Sequence, residues 1–268
     1  MSSPQNVRSP AYRPDLYGES FADVYDDWYA EVSDAEACAA FVTKRCQTGP
    51  VLELGVGSGR LAFPLANRGV RTVGLDASIL MLRQAGRVPN PNLELTLADM
   101  RRPPFRPSSF SGILIGFNTL FNVTSEREQQ NLIVDLAALL TPDGYLIIEA
   151  SNISAPEGPK PEASVHSFGA DRTLSHGLVV TSTNVHERQQ RIDGCHIQVD
   201  DAKITFRPWH LRWVTPDQLD SHSEAGGLTL SERYADWDLT PFTGHDSSHV
   251  SVYRRQRQPS NVGSQCPQ

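Results

Sequence analysis

The amino-acid sequence predicts an α/β fold: a doubly wound sheet of seven strands, the last of them antiparallel, with a small antiparallel β insertion as a cap. Five short apolar runs alternate with helical stretches between residues 51 and 150, which is typical of a parallel sheet covered on both faces. Beyond residue 150, apolar and polar residues alternate singly, the period of half-exposed strands. A short connection without a helical pattern joins the last two strands, which predicts that they are antiparallel.

The first half of the chain carries the predicted parallel strands, over residues 51–54, 71–75, 93–97, 112–117 and 145–150. Helices are predicted over residues 33–46, 61–67, 78–83 and after residue 125. Ser78 is an N-cap residue, and Ser125-x-x-Glu128 has the pattern of a capping box. Thr141-Pro142-Asp143-Gly144 has a turn composition, so we expect the chain to reverse there before the fifth strand.

The second half is predicted to hold the insertion and the end of the sheet. Insertion strands are expected over residues 178–186, 195–199 and 203–206, with Asp193-Gly194 as the first turn. Thr215-Pro216 then starts a helix that closes at Gly226-Gly227, and residues 228–234 and 250–253 form the last two strands. We therefore expect a disordered segment over residues 1–15, one domain over 16–255 with its insertion at about 152–210, and a disordered tail over 256–268.

The charge balance argues against a nucleic-acid partner. The 268 residues include 24 basic and 31 acidic side chains, a formal charge of -7, whereas proteins that bind phosphate backbones are usually basic. The sequence has no run of 18 apolar residues, and its polar start lacks the apolar core of a secretory signal. We expect a cytoplasmic protein that acts on a small molecule without a membrane partner, and a homodimer is one state that the sequence leaves open.

Cysteine and histidine spacing predicts no metal site. Cys38, Cys46, Cys195 and Cys266 match neither zinc-type C-x-x-C spacing nor a compact disulfide framework, so we expect free thiols. All eight histidines follow residue 165, and none forms an H-x-x-x-H or H-E-x-x-H pattern on a plausible helix.

The segment Glu53-Leu54-Gly55-Val56-Gly57-Ser58-Gly59-Arg60 lies where the first predicted strand ends and a helix begins. Glycines at such a bend let the backbone approach a ligand, and the helix amino end presents unpaired N–H groups. Dinucleotide enzymes need G-x-G-x-x-G, whereas the third glycine here comes one residue early and Arg60 occupies the place that requires a small side chain. The loop therefore predicts a nucleotide-like ligand without a pyrophosphate.

Two further strand ends carry acidic residues. Asp76 closes the second strand, where a carboxylate accepts hydrogen bonds from both hydroxyls of a free ribose. Asp99-Met100 follows the third strand and can place a carboxylate near an adenine amine, with the thioether against the ring. A strand-terminal Asp is often only a turn residue, but the three features come in the order that one nucleoside site requires.

These motifs together resemble the class I S-adenosylmethionine-dependent methyltransferases, whose first motif is an acidic residue followed by G-x-G-x-G. The resemblance covers most of residues 17–254 and implies a Rossmann-like fold with S-adenosyl-L-methionine as the cofactor. Residues 21–29 (FADVYDDWY), the triplet Asp99-Met100-Arg101 and the β-rich insertion are similar to bacterial small-molecule methyltransferases, particularly amino-sugar N,N-dimethyltransferases of natural-product pathways. The implied acceptor is an amine, or a hydroxyl, of a small metabolite.

The resemblance also implies roles for single residues. Tyr25 closes over the cofactor, and Arg60 pairs with its carboxylate. Phe117 is predicted from its place at the exit of the fourth strand, near the adenine or the sulfonium. The other residues implied to contact the cofactor are Glu53, Gly55, Gly57 and Gly59 around the methionine part, Asp76 with Ala77 at the ribose, and Asp99 and Met100 at the adenine.

Acceptor and catalytic residues are predicted mainly from their place at strand ends. Methyl transfer is an in-line displacement, so the protein chiefly aligns the reactants and, where needed, supplies a base. Glu149 and His245 are the candidate bases, and Tyr29 and Asn118 the candidate acceptor contacts. Glu149 and His245 have simpler interpretations as a loop cap and a turn residue, and Tyr29 as a core aromatic. The last predicted strand segment of the insertion carries Trp209, His210, Arg212 and Trp213. Side chains along a strand alternate between its two faces, so only two of these four can face one pocket.

Two other functions remain open from the sequence. An NAD-dependent oxidoreductase would share the strand–loop–helix arrangement and the ribose carboxylate, although Arg60 at the third-glycine position argues against it. A non-catalytic protein could bind the same cofactor as a structural or sensing ligand, and turnover is the observation that separates it from an enzyme.

Overall fold

The computed structural model of the chain describes residues 13–29, 34–153, 165–174, 177–200 and 203–255. The disorder predicted over residues 1–12 and 256–268, and the free thiol predicted at Cys266, lie outside the described residues. Arg13 and Asp15, at the described end of the predicted N-terminal segment, are joined by a 2.7 Å ion pair just before the first helix.

The chain forms seven α-helices and eleven β-strands within the described residues. The helices are α1 Leu16–Phe21, α2 Tyr25–Tyr29, α3 Ala35–Arg45, α4 Ala62–Asn67, α5 Ile79–Ala85, α6 Glu126–Leu139 and α7 Pro216–Ala225. The strands are β1 Val51–Leu54, β2 Thr72–Asp76, β3 Leu93–Leu97, β4 Phe110–Ile115, β5 Leu140–Ser151, β6 Val165–Leu174, β7 Gly177–His186, β8 Arg191–Asp200, β9 Lys203–Arg212, β10 Leu228–Tyr234 and β11 Ser248–Arg255.

Seven of the strands form one mixed sheet in the order β10-β11-β5-β4-β1-β2-β3. Strands β1 to β5 pair in parallel, and β11 runs antiparallel to both β5 and β10. Because the order reverses direction at β1, the carboxyl ends of β1 and β4 border the crevice in which such sheets bind ligands. The predicted fold class, with its antiparallel last strand, is confirmed.

The sheet is buried on both faces, which explains why its strands read as continuous apolar runs. In β4, Ile113 and Ile115 pack in one hydrophobic cluster with residues of α6, whereas Leu114 packs on the other face with residues of α3 and α4. All three side chains are fully buried. No helix in the described part of the chain has the length and apolar character needed to span a bilayer.

The insertion is a four-stranded antiparallel sheet in the order β6-β7-β8-β9, which we call the cap sheet. The sequence predicted only three strands here and placed the first turn at Asp193-Gly194, which is wrong. Asp193 and Gly194 lie inside β8, and the chain reverses instead through the short 3-10 helix Glu187–Gln189. Gly194 is needed within the strand because a Cβ there would lie 2.1 Å from the ring of Trp209 on β9.

Two other local predictions are also corrected. The predicted turn at Thr141–Gly144 is extended backbone within β5, where the pairing with β4 shifts register. Ser125 precedes α6, but its side chain makes no cap hydrogen bond. Glu128 instead pairs with Arg101 at 2.7 Å, because a charged partner outcompetes the backbone N–H of the predicted capping box.

The caps at Ser78 and Thr215 are confirmed. Ser78 Oγ accepts from Met81 N at 3.2 Å at the start of α5. Thr215 Oγ1 accepts from Gln218 N at 3.3 Å, and the Gln218 side chain accepts from Thr215 N at 3.1 Å, which makes a complete capping box on α7. The glycines that follow α7 end it where the sequence predicts.

Two buried arginines of β9 fasten the cap sheet to the rest of the molecule; each is 4% exposed. Arg207 makes an ion pair with Asp23 at 2.6 Å and donates to Ser20 O, both in the segment around α1 and α2. Arg212 donates to Gln129 Oε1 at 2.6 Å on α6. The cap sheet is therefore held against both the N-terminal helices and the body of the sheet.

Candidate active site

A cavity of about 240 Å³ lies where the loops after the parallel strands meet α1, α2 and the cap sheet. The carboxyl ends of the parallel strands and the segments after them contribute Gly55, Gly57, Leu75, Asp76, Ala77, Asp99, Met100, Phe117, Asn118, Thr119 and Asn122. The N-terminal segment contributes Pro14, Tyr17, Gly18, Tyr25 and Tyr29, α5 contributes Met81, and the cap sheet contributes His196, Trp209 and Leu211. The predicted residues at the ends of three strands therefore line one cavity.

The glycine-rich loop wraps one end of this cavity. Gly57 has a φ of +57°, and a Cβ added to it would meet only Tyr25 Cε1, at 3.8 Å, so the space beside it belongs to the cavity. Gly59 has a different environment: a Cβ there would lie 2.6 Å from the Phe63 ring. Gly59 is not among the described lining residues, and its missing side chain serves the packing of α4.

Glu53 and Arg60 flank the loop without lining the cavity. Glu53 is 3% exposed, and its Oε2 has no hydrogen-bond partner among the described residues. Burial raises the pKa of Glu53 to about 8, although the positive charge of Arg60 offsets part of that rise. The Arg60 guanidinium lies 5.3 Å from the centroid of the Phe117 ring. A buried carboxyl without a protein donor is a place where a ligand ammonium group fits.

Asp76 lies in the cavity wall with Ala77 beside it, as predicted for a ribose-binding carboxylate. Its Oδ2 accepts from Gly57 N at 2.9 Å and its Oδ1 from Ser78 N at 2.8 Å. Burial raises the pKa of Asp76, and the hydrogen bonds from backbone N–H groups counteract this. The carboxylate thus couples the end of β2 to the glycine-rich loop on β1.

Asp99 and Met100 also line the cavity. Arg101 donates to Asp99 Oδ2 through Nε at 3.0 Å and Nη2 at 2.7 Å. Partial burial would raise the pKa of Asp99, but the hydrogen bonds and charge of Arg101 outweigh it and bring the pKa below its ordinary value. Arg101 also pairs with Glu128, so the triplet noted in the sequence acts by anchoring an ionised carboxylate at the cavity rim.

The loop after β4 has an unusual backbone. Phe117 and Asn118 are consecutive non-glycine residues with positive φ, +42° and +59°. Such strain persists only when surrounding contacts hold it. Phe117 N donates to Glu149 Oε2 at 2.8 Å, and Ser151 N donates to Asn118 Oδ1 at 2.6 Å. Both side chains reach the cavity as predicted, but the Asn118 amide is already engaged by Ser151, since its Nδ2 also donates to Ser151 Oγ at 3.0 Å.

Neither predicted base is among the described residues that line the cavity. Glu149 accepts from Phe117 N through Oε2 and from Trp237 Nε1 through Oε1, the latter at 3.0 Å, so both of its oxygens take donors from the protein. This favours a role in holding the β4 loop over a role as a base. His245 is exposed in a turn that the Asp246 side chain closes on Thr243 N at 2.7 Å.

Aromatic rings surround the middle of the cavity. The Tyr29 ring lies 5.0 Å from that of Tyr25 and 6.0 Å from that of Phe117, between centroids. Burial raises the pKa of Tyr17 and of Tyr25, so both phenols stay protonated at neutral pH. The predicted acceptor contact Tyr29 therefore lies between a phenol and a phenyl ring, in a region that suits a cation.

Most of the cap side of the cavity could not be located from the sequence. His196 and Leu211 of the cap sheet line the cavity, as does Tyr17 of α1, and none of the three was predicted as a site residue. Of the four residues singled out at the end of β9 and just after it, Trp209 faces the cavity, whereas His210 points away and its Nδ1 lies 2.8 Å from Asp193 Oδ1. The close approach of Trp209 to Gly194 is a signal that could have located this face, but only once the pairing of β8 with β9 is known.

The described residues contain no group of three or more His, Cys, Asp or Glu side chains placed to hold a metal ion. Cys38, Cys46 and Cys195 are free thiols, as predicted.

Comparison with known proteins gives consistent matches. Residues 51–144 match a family model described as a methyltransferase domain. The cypemycin N-terminal methyltransferase of a Streptomyces species is 24% identical over 249 residues, which cover 91% of this chain and 99% of the relative. The structure of the CcbJ methyltransferase from Streptomyces caelestis is 31% identical, with 92% of this chain and 100% of that chain covered and a TM-score of 0.83.

A more distant structure shares the fold. It is the S-adenosylmethionine-bound form of CalS10, an amino pentose methyltransferase from Micromonospora echinaspora. It is 18% identical, the match covers 86% of this chain and 96% of that chain, and the TM-score is 0.63.

Proposed function

The chain belongs to the S-adenosylmethionine-dependent methyltransferases, and we propose that it methylates an amine nitrogen of a small, natural-product-type molecule. The observation that carries this proposal is the single cavity that joins the glycine-rich loop to an aromatic region under the cap sheet. Family membership removes the NAD-dependent oxidoreductase from consideration. A non-catalytic cofactor-binding protein stays an alternative, which turnover decides.

The residues at the loop end of the cavity fit S-adenosyl-L-methionine. Glu53 Oε2 is a buried acceptor without a protein donor, suited to the amino group of the methionine part. Gly57 leaves room for a ligand beside the loop, and Asp76 can bind the ribose hydroxyls. Asp99 and Met100 line the same cavity, and the proposal gives them the adenine contacts. When bound, the cofactor supplies a methyl group activated on a positively charged sulfur.

The charges in the cavity favour an amine acceptor over an anionic one. The charged side chains that line it are the carboxylates of Asp76 and Asp99, and no Lys or Arg is among the described lining residues. Aromatic faces at Tyr29 and Phe117 stabilise cations, and methylation of an amine begins and ends with a nitrogen that can carry positive charge. The names of two similar proteins agree: one is an N-terminal methyltransferase and one an amino pentose methyltransferase.

We assign Glu149 a positioning role in this reaction. Its carboxylate holds Phe117 N on one side and the Trp237 indole on the other, so it fixes the strained loop that brings Phe117 to the cavity. The proposal gives His245 no part in the chemistry, because it lies in an exposed turn. A cytoplasmic location and a homodimer, both compatible with the sequence, belong to the proposal as well.

The proposal is tested with matched acceptor pairs. Purified protein is incubated with S-adenosyl-L-methionine and either glucosamine or glucose, and separately with trialanine or N-acetyl-trialanine. Formation of S-adenosylhomocysteine and of methylated product is followed by mass spectrometry. We expect turnover with the members that carry a free amine. Equal turnover of glucose and glucosamine with none of trialanine would overturn the choice of amine. Cofactor binding without turnover of any acceptor in a wider metabolite panel would favour the non-catalytic alternative.

A further inference from the structure

One imidazole lies on the cap side of the cavity, that of His196 in the middle of β8. Its strand neighbours in register are Thr181 on β7 and Arg207 on β9. His196 Nδ1 lies 2.6 Å from Thr181 Oγ1, a hydrogen bond whose direction depends on the imidazole tautomer. If Nδ1 carries the proton and donates to Thr181, Nε2 is a proton acceptor.

Three aromatic rings fix the plane of this imidazole. Its centroid lies 5.6 Å from that of Phe21 and 5.7 Å from that of the Trp28 ring, and both rings stand nearly perpendicular to it. Trp209 lies 5.9 Å away at an angle of 39°. A histidine held by its neighbours on several sides, with its Nδ1 tied to a hydroxyl, has the support that a base of fixed orientation needs.

We propose that His196 is the acceptor-side base of this enzyme and that Thr181 is its positioning residue. The inference rests on the proposed function, since it needs an acceptor that arrives as an ammonium ion. The acceptor N–H bond breaks, the proton forms a bond to His196 Nε2, and the electron pair stays on the acceptor nitrogen. That pair then forms the bond to the methyl group while the methyl–sulfur bond breaks and leaves its electron pair on the sulfur, which becomes neutral; the imidazolium returns its proton to solvent.

The other titratable groups around His196 are poorly suited to this step. Arg207, its neighbour in register, is paired with Asp23. Tyr17 and Tyr25 keep their protons because burial raises their pKa. The carboxylates of Asp76 and Asp99 also line the cavity, but each accepts hydrogen bonds from the protein at its strand end. Tyr29 is the third phenol in the lining.

The cap sheet supplies a matched control on its opposite face. Asp193 lies on β8 three residues from His196, on the side of the sheet that faces away from the cavity. His186 Nε2 lies 3.0 Å from Asp193 Oδ2. Replacement of His186 removes an imidazole from the same sheet without touching the cavity, so His186→Gln separates an effect on the cap sheet from an effect on the acceptor.

The first experiment compares pH profiles of the wild type, His196→Gln, Thr181→Val and His186→Gln with trialanine as the acceptor. The amino group of a peptide has a pKa of about 8, so it is mostly protonated at pH 7. We expect kcat/KM of His196→Gln to be about 10-fold below the wild type at pH 7, where about a tenth of the acceptor is already neutral, and to approach it above pH 9, because a neutral amine needs no base. Thr181→Val should show a smaller deficit of the same form, and His186→Gln none.

The second experiment does not require turnover. Protein labelled with ¹⁵N at histidine is saturated with S-adenosylhomocysteine, and the His196 ring signals are assigned by their loss in His196→Gln. Addition of trialanine or glucosamine should shift the His196 Nε2 signal and leave the His186 signals unchanged, and N-acetyl-trialanine should shift neither.

The two proposals fail differently. A wild type that turns over no amine contradicts the proposed function. A wild type that methylates an amine while His196→Gln keeps the same kcat/KM at every pH contradicts the assignment of His196, as does a His196 Nε2 signal that neither amine changes. A uniform loss in His196→Gln at all pH values would show a structural role and would also overturn it.

Discussion

The loop side of the cavity is lined by residues at or just past the carboxyl ends of the parallel strands, whereas the cap side is lined by residues from separate antiparallel strands. Gly57 and Asp76 meet because β1 and β2 are neighbours, and one hydrogen bond of 2.9 Å joins them. Trp209 and His196 meet only because β8 and β9 pair along ten residues each. The loop side is therefore suited to a constant ligand, and the cap side to an acceptor that can differ between relatives.

The comparison is tested most strongly at Gly57, where a side chain would enter the cofactor region. We expect Gly57→Val to lower cofactor affinity by more than about 100-fold, because the valine fills space that the backbone leaves beside Tyr25. The matched control is Gly69→Val, since Gly69 also has a positive φ, +80°, but has no atom within 4 Å of an added Cβ.

Both glycine variants should lose unfolding free energy by a similar amount, about 1–2 kcal/mol, from the strained backbone. Isothermal titration with S-adenosyl-L-methionine and urea unfolding separate the two effects. Equal cofactor affinity in the two variants would mean that the loop is a structural turn and that the loop side has been misassigned.

A smaller effect is expected at the ribose position. Asp76→Ala should weaken cofactor binding by about 1–3 kcal/mol, the range for losing a hydrogen-bonding charged group. Glu94→Gln is the control, because Glu94 lies on β3, the strand next to β2, in an exposed ion pair with Arg71. Calorimetry that finds unchanged affinity in Asp76→Ala would contradict the ribose assignment.

The difference between the two sides also explains what the sequence could predict. The seven-stranded sheet and the loop side follow from local signals: apolar runs, glycine spacing, and acids at strand ends. The cap side depends on which residues of β7, β8 and β9 are opposite each other, and no local signal fixes that register. Asp193-Gly194 shows the problem, because a turn-type dipeptide lies inside a strand to accommodate Trp209 from the next one.

The catalytic predictions illustrate the same limit. The strand-end rule singled out Glu149 as a base, but it could not show that Phe117 N and Trp237 Nε1 donate to both of its oxygens. The same rule pointed to His245 and not to His196, because a loop position can be predicted from the sequence and a cavity-facing position in a strand cannot. A role for a residue in the middle of a strand can be assigned only once the pairing of that strand with its neighbours is known.

The charge state of Glu53 gives a pH-dependent test of the loop side. Its pKa is raised to about 8 in the folded protein from 4.5 for an ordinary Glu. A raised pKa means that folding favours the protonated form, so this residue's contribution to stability is full below about pH 4.5 and is lost as the pH rises through 8. Glu53→Gln should therefore flatten the fall in unfolding free energy between about pH 4.5 and pH 8.

The same carboxyl links pH to cofactor binding. If Glu53 pairs with the cofactor ammonium, binding favours the ionised form, and the protein should release a proton when it binds S-adenosyl-L-methionine at pH 7. Titration calorimetry in buffers of different ionisation enthalpy measures this release directly. A release that persists in Glu53→Gln would place the titrating group elsewhere.

The smallest expected effect concerns Trp209, and it sharpens the contrast between the two sides. The indole Nε1 is buried and has no hydrogen-bond partner among the described residues, so an oxygen on the acceptor would satisfy it. Trp209→Phe keeps a ring against Gly194 but removes the donor. We expect KM for glucosamine, which carries hydroxyl oxygens, to rise about fivefold, with cofactor affinity unchanged, since one neutral hydrogen bond contributes about 1 kcal/mol.

Removing that donor should not destabilise the free protein through hydrogen bonding, because a buried N–H without a partner costs about 1–3 kcal/mol in the folded state. Urea unfolding of Trp209→Phe is therefore expected to show little loss, the lost packing of the larger ring being offset by the removed penalty. A Trp209→Phe variant that loses affinity for both S-adenosyl-L-methionine and the acceptor would show that the two sides of the cavity are not independent. The change in the cap sheet would then have reached the loop side through the N-terminal helices, which Arg207 holds in place.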